Sequence, residues 1–140
     1  MAKAAEVLSL GIDVGSTTVK AVVLSEDGKT LYGSYLRHFS KVKETVESEL
    51  HIIKERFPSA SFHVYITGSA GLGLSERSHI PFIQEVQSAF HAIKTLYPAV
   101  DCAIELGGED AKILFLTVFK TASRDGINHP GSDTMDEFLG

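Results

Sequence analysis

The sequence contains a single cysteine, Cys102, and this excludes a disulfide bond within the chain. Because Cys102 lies in an apolar run, we expect it to be a buried strand residue. No apolar run approaches the ~20 residues that a membrane-spanning helix requires. The short stretch Met1–Glu6 has no apolar core of the kind found in signal peptides. These absences predict a cytoplasmic protein.

Basic residues are few and scattered along the chain. There are 13 lysine and arginine residues against 18 aspartate and glutamate residues, which gives a formal net charge of -5. A nucleic-acid surface needs clustered basic residues, so the composition argues against that class. Hydrophobic residues make up 44% and charged residues 22%, which is ordinary for a globular protein that buries a core. At 140 residues the chain fits one domain, or one domain and the beginning of another.

A segment near the start of the chain, residues 11–24, is repeated without a gap at residues 103–116. In each copy an apolar run ends in a carboxylate, one residue intervenes, a glycine opens a polar turn, and a lysine begins a second apolar run. The matched pairs are Asp13 and Glu105, Gly15 and Gly107, and Lys20 and Lys112. Each copy is typical of two strands joined by a short loop suited to an anion. The duplication suggests two similar units with a nucleotide phosphate clamped between their hairpins.

Apolar periodicity predicts an α/β fold. The expected elements are strands over 7–13, 19–25 and 30–38, a helix ending at Pro58, a strand over 62–67, a turn over 68–73, a strand over 80–86, a helix over 88–97, and strands over 101–106 and 111–118. This order is ribonuclease-H-like, as in actin-like ATPases, with a mixed five-stranded sheet and flanking helices. We expect a first domain over 1–98, the opening hairpin of a second such domain over 99–119, and a loosely ordered tail over 120–140.

The residue types in the two loops suit a bound triphosphate. Glycine lets backbone N–H groups approach phosphate oxygens, hydroxyl groups donate to them, and lysine adds a positive charge. The predicted nucleotide-binding residues are Asp13, Gly15, Ser16, Thr17, Thr18, Lys20, Gly107, Gly108, Glu109 and Lys112. Asp13 is suited to hold Mg²⁺ through water. Glu105 and Asp110 are the candidate catalytic residues, because a carboxylate there could orient the attacking water.

Each of these features also has a structural explanation. Asp13 and Gly15 could form an ordinary tight turn, and a lysine at the start of a strand is often a solvated edge charge. The duplicated register favours a site over a turn. The segment 68–73 could be a third loop near the nucleotide or a flexible connector. Three histidines lack a metal-binding spacing and are expected on the surface or satisfied in the core: His63, His79 and His91.

Three segments together, 12–20, 66–73 and 104–112, resemble the activator family of 2-hydroxyacyl-CoA dehydratases and benzoyl-CoA reductases, the CoA-substrate-specific enzyme activases. The resemblance implies a member of the acetate-kinase, sugar-kinase, heat-shock-chaperone and actin superfamily. It further implies a homodimer that hydrolyses ATP, with Mg²⁺, to drive one electron from a shared [4Fe-4S] cluster into a partner dehydratase or reductase.

The sequence departs from this family after the second hairpin. There the family carries its cluster cysteines, whereas residues 117–140 contain none and Cys102 precedes the hairpin. No cluster ligand can therefore be assigned. We expect an N-terminal fragment of an ATP-binding activator, not active as an ATPase alone, whose exposed strand edges favour dimerisation or aggregation. The alternatives are a fragment of a sugar- or acetate-kinase-like enzyme and a non-catalytic actin-like assembly module.

Overall fold

The computed structural model describes residues 6–107 and 110–116, and these form six strands and three helices. The elements in chain order are β1 Val7–Val14, β2 Thr18–Leu24, β3 Thr30–Arg37, α1 Val42–Arg56, β4 Ser61–Thr67, α2 Leu72–Ser78, α3 Glu85–Leu96, β5 Cys102–Leu106 and β6 Ala111–Phe115. None of these helices is long and apolar enough to cross a membrane. The tail predicted over 120–140 lies outside the described residues.

The first four strands form one mixed sheet in the order β3-β2-β1-β4. Strands β1, β2 and β3 pair antiparallel, as the predicted meander requires, and β4 pairs parallel to β1. A parallel pair needs a crossover connection, which α1 supplies. The carboxyl ends of β1 and β4 therefore lie side by side, with Asp13 opposite Thr67. The loops that follow these two strands meet at this edge of the sheet.

The core lies between the sheet and α1. Alternate residues of β1 face it, and each is 3% exposed or less: Leu8, Leu10, Ile12 and Val14. Strand β2 adds Val19, Ala21 and Val23, and α1 adds Val46 and Ile53. Since side chains alternate along a strand, burying Ile12 and Val14 turns Asp13 to the opposite face. The packing of the core thereby positions the first candidate site residue.

The predicted fifth strand of this sheet, over residues 80–86, is not formed. Phe82 makes one isolated parallel bridge to Ile66, and α3 begins within the same segment. Ile66 donates its N–H to the carbonyl of Pro81 at 2.9 Å and accepts the N–H of Ile83 at 2.8 Å. Pro81 itself has no N–H to extend a ladder. Within the described residues, this mixed sheet therefore has four strands.

Strands β5 and β6 form a separate antiparallel hairpin. One face of it is packed, since Leu114 and Leu116 are 6% and 2% exposed. The large apolar side chains of the opposite face are 60% to 80% exposed: Ile104, Leu106, Ile113 and Phe115. The matching residues of the first copy are all buried: Ile12, Val14, Ala21 and Val23. The face of the second hairpin that corresponds to the buried face of the first is thus exposed, and no helix of the described residues packs on it.

The prediction that Cys102 is buried is wrong. Its thiol is free and the residue is exposed. Every second residue of β5 lies on the same face, so Cys102 shares the open face of the hairpin with Ile104 and Leu106. An apolar run shows that a strand suits a core, but it does not show that both of its faces are covered.

Candidate functional site

The two hairpins share one backbone hydrogen bond at the same place in the repeat. The N–H of Gly15 donates to the carbonyl of Thr18 at 2.9 Å, and the N–H of Gly107 donates to the carbonyl of Asp110 at 2.8 Å. The sequence duplication is therefore matched by the strand pairing and by the hydrogen bond of the glycine in each copy.

The carboxylate and the lysine of each copy are paired across the strands. Asp13 lies opposite Lys20 in β1–β2, and Glu105 lies opposite Lys112 in β5–β6. In the first hairpin this pair is closed, with Lys20 Nζ 2.8 Å from Asp13 Oδ2. That hydrogen bond raises the pKa of Lys20 against the opposing effect of burial, and the charge of Glu105 raises it further. The carboxylate of the second hairpin therefore lies within electrostatic reach of the first.

Lys112 of the second hairpin has different partners. Its Nζ lies 2.9 Å from Glu85 Oε2 and 3.1 Å from Asp110 Oδ2, and its cross-strand neighbour Glu105 is not a hydrogen-bond partner. Glu85 raises the pKa of Lys112 most strongly, followed by Asp110. Glu85 is the first residue of α3, where a carboxylate also interacts favourably with the helix dipole. This contact fastens the second hairpin to the first unit.

The loop after β4 packs against the end of β1. Gly68 has a φ of +98°, and a Cβ there would lie 2.4 Å from the carbonyl oxygen of Val14 and 2.5 Å from Asp13 Oδ1. The N–H of Ala70 donates to Val14 at 2.9 Å. The segment predicted to be a turn over 68–73 is a turn only at first, because α2 begins at Leu72. The turn itself lies beside Asp13.

His38 forms hydrogen bonds to the backbone of the first turn, and the sequence did not indicate this role. Its Nδ1 accepts the N–H of Ser40 at 3.1 Å, so its Nε2 carries the proton that is donated to the carbonyl of Gly15, also at 3.1 Å. The backbone N–H of His38 donates to the carbonyl of Thr17 at 3.2 Å. The side chain is buried. A histidine 23 residues from its partner leaves no local pattern in a sequence.

The remaining predicted residues occupy different positions. Ser16 and Thr17 are exposed at the tip of the first turn, whereas Thr18 is buried at the start of β2. Gly108 and Glu109 lie outside the described residues. The structure thus pairs Asp13 with Lys20, places Glu105 where its charge raises the pKa of Lys20, and adds Glu85, which the sequence did not indicate.

An open cleft of about 980 Å³ lies on the face of the sheet opposite α1. Asp13 and Lys20 stand at its wall together with Tyr35 of β3 and Tyr65 of β4. Two glycines, Gly11 and Gly33, lie in the same row as Tyr65 across the sheet. The candidate site therefore opens into a space large enough for a small organic ligand.

Metal binding by protein ligands alone is not supported in the described residues, which contain no group of three or more histidine, cysteine, aspartate or glutamate side chains suited to a metal. Mg²⁺ bound to one carboxylate and completed by water and phosphate needs no such group, so Asp13 fits that role. The fit to a [4Fe-4S] cluster is poor. A cluster takes four thiolates, and the 140 residues supply one exposed cysteine.

No family model and no curated protein matches the sequence. Comparison of the fold does find similar solved structures, and they share its mixed α/β fold. Component A of the (R)-2-hydroxyglutaryl-CoA dehydratase of Acidaminococcus fermentans matches with a TM-score of 0.60 and 23% identity, over 79% of this chain and 43% of that one.

Two further solved structures extend this comparison. The activator of the 2-hydroxyisocaproyl-CoA dehydratase from Clostridium difficile, with bound ADPNP, matches with a TM-score of 0.58 and 23% identity, over 77% of this chain and 40% of that one. The Aquifex aeolicus PPX-GPPA enzyme matches with a TM-score of 0.50 and 16% identity, over 78% and 48%. The chain thus spans less than half the length of each of these three proteins.

Proposed function

We propose that the two hairpins hold the phosphates of ATP, and that the chain is the N-terminal part of an activator that couples ATP hydrolysis to electron transfer into a CoA-ester dehydratase or reductase. The observation that carries this proposal is the repeated hairpin, with its glycine hydrogen bond and its carboxylate and lysine at the same register. The likeness in fold to two dehydratase activators, one of them with bound ADPNP, supports it.

The presence of glycine at position 15 favours a ligand-binding loop over an ordinary turn. Gly15 is not among the described glycines with positive φ, and a Cβ added to it would meet its nearest neighbour, the carbonyl of Thr18, at an ordinary 3.5 Å. The fold therefore does not require glycine at this position. Close approach of a phosphate to the backbone does favour it, and the exposed hydroxyls of Ser16 and Thr17 are placed to donate to the same anion.

The charges at the site favour a nucleotide that arrives with Mg²⁺. Four carboxylates, those of Asp13, Glu85, Glu105 and Asp110, stand with the two lysines of the hairpins, which leaves two negative charges in excess. A free triphosphate would be repelled by this excess. Mg²⁺ offsets it and, when bound, neutralises charge on the phosphate oxygens during hydrolysis.

Glu105 is the stronger candidate for orienting the attacking water. Its charge acts on both lysines without being a hydrogen-bond partner of either, whereas Asp110 is paired with Lys112. Water positioned by Glu105 would attack the terminal phosphorus, and ADP would leave. We assign residues 1–98 to the first, ribonuclease-H-like domain and 99–119 to the start of the second. The rest of the cleft, the electron-carrying group and the partner contacts would come from outside these 140 residues.

The test of this proposal is the variant Asp13→Ala. We expect Mg²⁺-dependent binding of ADPNP to weaken by at least about tenfold, because the variant removes the carboxylate suited to the metal. Isothermal titration calorimetry measures the affinity, and circular dichroism confirms that the fold persists. Glu47→Ala is the matched control, since it removes a carboxylate from a surface ion pair with Lys43 on α1. Unchanged affinity in Asp13→Ala would remove Asp13 from the site.

A non-catalytic assembly module is a second candidate, because the β5–β6 hairpin leaves an apolar face open. Light scattering on the whole chain, with and without MgADPNP, separates the two candidates. Self-association that is the same with and without MgADPNP, in a protein that does not bind the nucleotide, would favour assembly. Binding of MgADPNP that Asp13→Ala weakens would favour the activator.

A further inference from the structure

The carboxylate of Glu85 holds two groups that would also suit a phosphate. Its Oε1 accepts the backbone N–H of Ser69 at 3.1 Å, and its Oε2 accepts Lys112 Nζ at 2.9 Å. A backbone N–H in a glycine-rich turn and a lysine are the usual partners of a phosphate oxygen. Glu85 therefore occupies, as part of the protein, the position of an anion between the loop after β4 and the second hairpin.

The two copies of the hairpin differ at this point. Lys20 is bonded to the carboxylate opposite it on its own hairpin, and Lys112 is drawn away from Glu105 to Glu85 and Asp110. The position that matches Asp110 in the first copy is Thr18, which has no charge. The second lysine is thus held by carboxylates that have no counterpart in the first hairpin.

We propose that Glu85 is an internal competitor of the nucleotide phosphate, which holds Lys112 and the Ser69 N–H until the phosphate displaces it. This inference rests on the proposed nucleotide site and adds its regulation. Displacement would release two bonds together, because one carboxylate makes both. The second hairpin would then be free to move relative to α3. Binding of the nucleotide would thereby change the position of β5–β6.

The loop held by Glu85 is also tied to the first hairpin. Ala70, next to Ser69, donates to the carbonyl of Val14, and Gly68 lies against Asp13. Glu85 consequently connects the end of β1 to Lys112 through one turn. Its side chain is 31% exposed and that of Lys112 is 28% exposed, so a ligand can reach the pair.

The test is Glu85→Gln in the whole chain. Glutamine has the same size and keeps an oxygen for the Ser69 N–H, but it removes the negative charge that attracts Lys112. We expect the affinity for MgADP to rise about fivefold, the effect of removing one repulsive charge near a phosphate at a solvated site. Titration followed by ³¹P NMR reaches millimolar ligand and so covers weak binding. Glu47→Gln, in the pair with Lys43 on α1, is the control and should leave the affinity unchanged.

A second measurement needs no nucleotide. Amide hydrogen exchange over residues 102–107 and 111–116 should accelerate about two- to fivefold in Glu85→Gln, as expected for loss of a partly exposed ion pair. Lys112→Met should accelerate exchange at least as much, because it also removes the ion pair with Asp110, and adding Glu85→Gln to Lys112→Met should add nothing further. A merely local role for Glu85 at the start of α3 would leave these amides unchanged.

The outcomes separate the two proposals. Tighter binding of MgADP with faster exchange in Glu85→Gln supports the competition. Equal or weaker binding by the variant, in a wild-type protein that binds, overturns it and leaves the proposed function standing. Unchanged exchange overturns it whatever the binding result. Absence of binding by both proteins overturns the proposed function, and the competition with it.

Discussion

Replacing Gly68 with alanine adds a single methyl group, and we expect it to lower the stability of the fold substantially. Gly68 has a φ of +98°, and an added Cβ would lie 2.4 Å from the carbonyl oxygen of Val14 and 2.6 Å from its carbonyl carbon. Real Cβ atoms do not approach backbone this closely, so Gly68→Ala must push the loop away from β1. The displacement would also break the hydrogen bond from Ala70 to Val14.

Two costs add in Gly68→Ala. A left-handed backbone conformation costs an alanine about 1–2 kcal/mol, and forcing extra volume into a packed site costs about 1–3 kcal/mol. We therefore expect the free energy of unfolding to fall by about 2–5 kcal/mol. For a domain stabilised by about 5–15 kcal/mol, this is a large fraction.

Two other glycines separate these costs. Gly28 has a φ of +81° and no atom within 4 Å of an added Cβ, so Gly28→Ala should show the backbone cost alone. Gly73 lies in α2 with open space around it and without positive φ, so Gly73→Ala should stabilise by about 0.5–1 kcal/mol. Glycine and alanine differ equally in the unfolded chain at all three positions, so that contribution cancels in the comparison.

Urea denaturation followed by circular dichroism measures all three variants. The expected order of stability is Gly73→Ala, wild type, Gly28→Ala and Gly68→Ala, from most to least stable. If Gly68→Ala cost no more than Gly28→Ala, the packing of this loop against Val14 and Asp13 would be refuted. The loop after β4 would then have no fixed position beside Asp13.

Two further predictions concern residues away from the loops. Tyr32→Phe removes the hydroxyl that donates to the buried carboxylate of Glu49 at 2.6 Å, which should cost about 1–3 kcal/mol of unfolding free energy. The same hydrogen bond raises the pKa of Tyr32 in the folded state. Its contribution to the free energy of unfolding should therefore be complete below about pH 10 and be lost at higher pH. A difference in unfolding free energy between wild type and Tyr32→Phe that grows as the pH rises above this value would contradict the prediction. The exposed thiol of Cys102 should react with Ellman's reagent in the native protein, whereas reaction only after denaturation would show that the open face of β5–β6 is covered in solution.

Local patterns predicted the strands and hairpins well. The predicted strands over 7–13, 19–25 and 30–38 differ from β1, β2 and β3 by one residue or less at each end. Alternating apolar residues, and a carboxylate followed by a glycine turn, are local patterns. The structure they predict depends on residues close in sequence, so distant contacts do not change it. The pairing of the second hairpin was predictable for the same reason.

Features that depend on distant contacts were not predictable. The strand expected over 80–86 fails because only its two bonds to Ile66 form, and the burial of Cys102 fails because nothing covers its face in the described residues. His38 and Glu85 reach partners 23 and 27 residues away, without a motif that marks them. The core was therefore more predictable than the contacts that complete the site.

The different partners of the two lysines also bear on the order of folding. Lys20 finds Asp13 seven residues away within its own hairpin, so the first hairpin can close its ion pair as soon as it forms. Lys112 can pair with Asp110 within its own hairpin, but its contact with Glu85, which fixes the hairpin against α3, spans 27 residues. We expect the first hairpin to belong to the early structure of the chain, because local contacts have the lower entropic cost of closure. The second hairpin would dock last and would be the first part to detach, although the two share one sequence pattern.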